Sequence, residues 1–237
     1  MRLKAIVCLL ILILLNVHFI SAQSHEIGMN VGIANYKGEI APYSNIHNPM
    51  PQLGIFYRYN PSEVIGIRFA GSYGKIAASD ENSQEPFALL RNHAFETVIL
   101  EFSSQLEYNF LNFRGGSKKN YQSWSPYLLA GIGFCKYDPI TNAQPNYDTF
   151  SLILPLGVGL KATLSDNWNL GLEIGSRFTF TDYLDNLGVD VNKGLPPLNS
   201  KLYAGNPNNK DMYFFTSVSI SYVMPVRGKD CPIQMPR

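Results

Sequence analysis

The chain has 237 residues, of which 13% are aromatic and only 16% charged, against about 25% charged in an ordinary soluble domain. Nineteen basic residues face 18 acidic ones, a balance that does not suggest a nucleic-acid partner, which would call for a basic patch. Beyond the first segment no run of about 18 apolar residues occurs, which excludes a spanning helix in the rest of the chain.

The amino-terminal segment reads as a secretory signal. Arg2 and Lys4 precede an apolar run from Ala5 to Leu15, and Asn16 and His18 interrupt that run before it could span a bilayer. Ile20-Ser21-Ala22 offers a small residue for cleavage, so residues 1–22 are expected to be removed and the mature chain to begin near Gln23. Cys8 lies inside the apolar run, away from the cleavage site, so a lipid-anchored terminus is not indicated. Removal would leave 17 basic residues against 18 acidic ones, and two cysteines, Cys135 and Cys231. One disulfide or two free thiols are both compatible with that pair.

From there the dominant signal is alternation with period two, the mark of strands with unlike faces. Ile27, Met29, Val31 and Ile33 alternate with Gly28, Asn30 and Gly32; Leu53, Ile55, Tyr57 and Tyr59 alternate with Gly54, Phe56 and Arg58. A third run sets Ile65, Ile67, Phe69 and Tyr73 against Gly66, Arg68, Ala70, Ser72 and Gly74. The fourth sets Val98, Leu100, Phe102, Leu106, Tyr108 and Phe110 against Ile99, Glu101, Ser103, Gln105, Glu107 and Asn109. Similar runs occupy Tyr127 to Cys135, Ser151 to Leu160 and Trp168 to Phe180, and a last one Met212 to Tyr222. That predicts eight strands, all-β.

Loop lengths choose the architecture. Asn60-Pro61-Ser62 and Ser165-Asp166-Asn167 are turn-forming, and the link from Phe113 to Ser125 falls in the same series. The other four connections, Lys37 to Met50, Ala77 to Asn92, Asp138 to Thr149 and Thr181 to Lys210, are long and polar. Short and long links therefore alternate, as in an eight-stranded antiparallel transmembrane β-barrel with short periplasmic turns and long outer loops. A soluble sandwich has no reason to sort its loops in this way. The barrel is expected over residues 23–225, in contact with outer-membrane lipid, with residues 226–237 as a periplasmic tail. Tyr57, Tyr59, Tyr108, Phe110, Trp168, Phe180 and Tyr222, near strand ends, suit the aromatic girdles of such barrels.

The face opposite the lipid gathers Arg58, Arg68, Lys161 and Arg177 against Glu101, Glu107 and Glu173. In an interior only wide enough for side chains, these predict a polar plug of ion pairs, not an ion path. Catalytic signals are thin: His25, His47 and His93 remain in the mature chain, and His93 with Ser83 and Asp80 is the one loose constellation. Asp182, Asp185 and Asp190 lack calcium-loop spacing, and Gly131-Ile132-Gly133 and Gly157-Val158-Gly159 precede no helix that would receive a phosphate. No enzyme, metal or cofactor is expected. Candidate periplasmic docking residues are Arg114, Lys118 and Lys119 in the basic turn and Arg227 and Lys229 in the tail, beside Cys231.

Several runs carry a family resemblance. They are Tyr36-Lys37-Gly38-Glu39-Ile40, Gly54-Ile55-Phe56-Tyr57-Arg58-Tyr59-Asn60 and Ser125-Pro126-Tyr127-Leu128-Leu129-Ala130-Gly131-Ile132-Gly133. Leu154-Pro155-Leu156-Gly157-Val158-Gly159, Trp168-Asn169-Leu170-Gly171-Leu172-Glu173-Ile174-Gly175 and Phe180-Thr181-Asp182-Tyr183-Leu184-Asp185 continue them. Together they resemble the PorG-type outer-membrane barrels of Bacteroidota. The resemblance implies a component of the type IX secretion system that anchors a periplasmic ring of the PorK and PorN type. The tail with Cys231 departs from that pattern. The other readings of the same residues are a generic small barrel of the OmpA or OmpW kind, acting through its outer loops, and a lipid-modifying barrel enzyme.

Overall fold

A computed structural model of the chain describes residues 24–38, 48–82, 89–90, 93–113, 122–140, 149–181, 184 and 210–224. Eight strands follow in order: β1 (Ser24–Lys37), β2 (Met50–Asn60), β3 (Ile65–Ser79), β4 (Ala94–Asn109), β5 (Trp124–Pro139), β6 (Phe150–Thr163), β7 (Trp168–Thr179) and β8 (Met212–Met224). Each pairs antiparallel with its neighbour, and β1 closes on β8 from His25↔Met224 to Lys37↔Met212, so the sheet has no free lateral edge. Closure matters because an open edge would leave backbone donors and acceptors unpaired in lipid. Among the described residues no helix is long and apolar enough to cross a membrane.

The strand ends that flank residues 61–64, 110–123 and 164–167 lie at one end of the barrel with Ser24 and Met224, and those that flank 38–49, 80–93, 140–149 and 180–211 lie at the other. Two short turns are held by side-chain hydrogen bonds. Ser62 Oγ accepts from the Ile65 amide at 3.0 Å, and Asn167 Nδ2 donates to the Val223 carbonyl at 3.1 Å. The β5–β6 pairing lapses between Ala130↔Leu156 and Gly133↔Ile153. Pro155 sits in that gap and has no amide hydrogen to give.

The expected faces hold on every strand. Ile55 (69% exposed), Phe102 (60%) and Val31 (61%) point outward, while Arg58, Arg68, Glu101, Glu107, Lys161, Glu173 and Arg177 point inward and are buried. Several strands run further than the alternating pattern indicated. β3 continues to Ser79 and β4 begins at Ala94, so Ala77 to Ser79 are strand and not part of the long connection. The reason lies in these added rungs, where polarity inverts. Ile76, Ala78, Phe95 and Tyr137 face inward and are buried, whereas Lys75, Glu96, Lys136 and Asp138 face outward. Lys75 pairs with Glu96 at 2.7 Å and Lys136 with Asp138 at 3.1 Å, forming a charged rim. Below the rim the barrel is apolar outside and charged inside; above it the order is that of a soluble protein. A strand read only for apolar residues on its lipid face ends too early at such a boundary.

Candidate functional site: the charged lumen and its mouth

The lumen is assembled from rows of side chains one pleat apart. At the short-turn end Arg58 Nη1 donates to Glu26 Oε2 at 2.6 Å, and its Nε lies 2.9 Å from Glu107 Oε2. Lys161 meets the same Glu107 oxygen and also donates to Asn109 Oδ1 at 3.1 Å. Glu26 further accepts from Asn60 Nδ2 at 2.8 Å and Ser221 Oγ at 3.0 Å. One level up, Arg68 forks onto Glu173 with Nη1–Oε2 at 2.6 Å and Nη2–Oε1 at 3.0 Å, while its Nε donates to Gln105 Oε1 at 2.7 Å. Tyr127 adds a 2.8 Å hydrogen bond to Glu173. Above that, Arg177 Nε stands 3.4 Å from Glu101 Oε2, which also accepts from the Tyr213 hydroxyl at 2.8 Å. Arg177 and Glu173, four apart on β7, approach to 3.9 Å.

Reading faces from the sequence gathered four cations but only three carboxylates. The structure adds Glu26, which brings the ion-paired rows to four cations and four carboxylates, with Asp211 a further buried carboxylate at the mouth. Its parity with Gly28 and Asn30 would have revealed it, had the first strand been extended by one pleat. Each cation also lies over a ring: Arg58 at 4.8 Å and Arg68 at 5.6 Å from Phe56, Lys161 at 4.4 Å from Tyr127, and Arg177 at 4.5 Å from Phe215. Those rings need floor space. A Cβ on Gly28 would strike the Phe56 ring, and one on Gly159 the Tyr127 ring. Glycine is therefore required by close approach at both positions.

The recess at the short-turn end, lined by Ser24, Glu26, Asn60, Asn109 and Phe113, holds about 20 Å³, room for about one water. At the opposite mouth an apolar cluster covers the charges, with Tyr36, Ile76, Phe95, Tyr137, Leu184 and Phe215 among its members. Cys135 belongs to this cluster as a buried free thiol.

Other expected positions fare differently. Asp80 and His93 do meet, but through the backbone: the His93 amide donates to Asp80 Oδ2 at 3.0 Å, and the Asp80 amide to the His93 carbonyl at 2.9 Å. Ser83, His47, Asp182, Asp185 and Asp190 lie outside the described residues, as do Arg114, Lys118, Lys119, Arg227, Lys229 and Cys231. The same holds for residues 1–22 and 226–237. Among the described residues no group of three or more His, Cys, Asp and Glu side chains is placed to hold a metal. His25 stacks on Tyr57 and Tyr59, with Nδ1 2.6 Å from the Tyr57 hydroxyl, and Trp168 meets Tyr222 edge-on, so these aromatics ring the short-turn end.

A closed sheet that is apolar outside and ion-paired inside has the architecture of the small eight-stranded membrane barrels. Neisserial surface protein A shares it at 12% identity (TM-score 0.48), covering 85% of this chain and 99% of that one. So do Ail of Yersinia pestis (11%, TM-score 0.46, 85% and 99%) and OprG of Pseudomonas aeruginosa (12%, TM-score 0.44, 85% and 97%). At these values no activity travels with the likeness. No curated protein matches the sequence. The chain belongs to the family described as a domain of unknown function (DUF6089), whose family model matches residues 4–232.

Proposed function

We propose that this protein is an integral outer-membrane barrel of a Gram-negative cell, with its short turns and carboxyl terminus in the periplasm and its long loops outside. The observation that carries this is the inversion of polarity at the Lys75–Glu96 and Lys136–Asp138 rim. The outer face of β4 from Val98 to Tyr108, apolar but for Ser104, matches the ~9–11 residues with which a tilted strand crosses a bilayer. Such a face would be unstable in water.

The role is positional and not enzymatic. A lumen packed with paired charges and rings supports a rigid plug over a conducting path, so function is left to the two rims. The finer reading is a barrel of the type IX secretion system that anchors a periplasmic ring of the PorK and PorN type. It rests on the PorG-like sequence runs, with Arg114, Lys118, Lys119, Arg227 and Lys229 as the proposed contacts. Cross-linking and pull-down from native membranes tests it directly: ring lipoproteins should be recovered with the barrel. Recovery of none would leave a generic small barrel that acts through its outer loops.

A further inference from the structure

At the long-loop end one described residue of the β7–β8 link, Leu184, enters the mouth of the barrel. It is fully buried within the apolar cluster that roofs the lumen. Both of its backbone polar groups are held by the barrel. Its amide donates to Asp211 Oδ2 at 3.0 Å, and its carbonyl accepts from Thr97 Oγ1 at 2.8 Å. Asp211 is itself fixed, since Oδ1 accepts from the Tyr36 hydroxyl at 2.5 Å and its carbonyl accepts from Thr179 Oγ1 at 2.6 Å. Thr97 and Asp211 are buried. A buried residue whose N–H and C=O are each met by a placed side chain is recognised as a peptide unit.

We infer that the mouth is a peptide site, built of Thr97, Asp211 and the apolar vestibule, and that the chain's own Leu184 occupies it as a stopper. The site reads one amide N–H, one carbonyl and one aliphatic side chain. A segment of another polypeptide that presents an aliphatic residue in a turn, as Leu184 does, competes for it by the same three contacts. Displacing Leu184 opens the vestibule to water above the charged rim, where the barrel is built like a soluble protein.

The test uses the full chain, folded in lipid vesicles, with its own cysteines replaced by alanine and Ala78→Cys as a reporter inside the vestibule. A water-soluble maleimide should label it slowly. Leu184→Gly should speed labelling at least about ten-fold, by turning a globally gated opening into a local one, whereas Leu184→Met should leave the rate unchanged. Millimolar N-acetyl-leucinamide should then slow labelling of the Leu184→Gly chain, and N-acetyl-glycinamide should not. Adding Thr97→Val should abolish that protection. Unchanged labelling of a Leu184→Gly barrel that still migrates as folded without heating overturns the stopper. Faster labelling with no protection by N-acetyl-leucinamide overturns the peptide site. Should Leu184→Gly not fold, Leu184→Asn carries the same comparison.

Discussion

Arg68 on β3 grips Glu173 on β7 across the lumen, a bidentate pair between residues 105 apart in the chain. The fork matches guanidinium to carboxylate geometry, and both partners are buried. It binds opposite walls of the barrel, since β3 and β7 are not neighbours in the sheet. Arg68→Ala would strand Glu173 and expose the nearby Glu107 to an unbalanced site. A loss of about 3–5 kcal/mol is expected, read from urea unfolding in vesicles by fluorescence of Trp124 and Trp168. The double change Arg68→Met with Glu173→Leu should cost clearly less, because it leaves no lone charge at that pair.

Glu26 supplies the fourth carboxylate. Glu26→Gln keeps the shape and the acceptor for Asn60 but withdraws the charge facing Arg58. It should destabilise by about 1–3 kcal/mol. Glu26→Ala should cost more, since Arg58, Asn60 and Ser221 all lose a partner. A loss under half a kcal/mol for both changes in the same unfolding assay would show that the network does not need this residue.

The rim makes a depth prediction. Leu106 faces outward within the apolar band and Val98 lies beside the charged rim, opposite Lys75 and Asp138. Leu106→Arg should cost about 2–4 kcal/mol and Val98→Arg about 0–1 kcal/mol, following the depth dependence of cations on lipid-facing barrel walls. Equal costs at the two positions in vesicle refolding would remove the membrane boundary from where the inversion puts it.

Gly159 is the floor beneath the Tyr127 ring. Gly159→Val should displace that ring, lose the Tyr127–Glu173 hydrogen bond and disturb Lys161, costing about 1–3 kcal/mol as an overpacked site does. Tyr127→Phe removes only the hydroxyl, and about 1.5–3 kcal/mol is expected for a bond to a carboxylate. Comparable losses from the two would trace the effect to this one bond.

The plug also predicts silence in planar bilayers. Purified barrel should give no large, steady conductance, because the described lumen is filled by its own ion pairs. Stable large openings from the wild-type chain would refute the plug and return the charged residues to the role of a pore lining.

Alternation alone was enough to sort side chains such as Ile55 from Phe56 and Glu173 from Ile174 into outward and inward sets, because the period of a strand is a local property of its backbone. The order of long and short links likewise followed from turn-forming residues such as Asn60-Pro61-Ser62. What alternation could not supply was partnership. That Arg68 meets Glu173, that Glu26 completes the charge balance at Arg58, and that Leu184 enters the mouth between Thr97 and Asp211 all depend on how β1 closes on β8 and how the strands stagger. The inversion at Lys75 and Ile76 was hidden for a related reason. Parity continues unchanged through the rim while the surroundings change from lipid to water, so only the assembled barrel shows where one solvent gives way to the other.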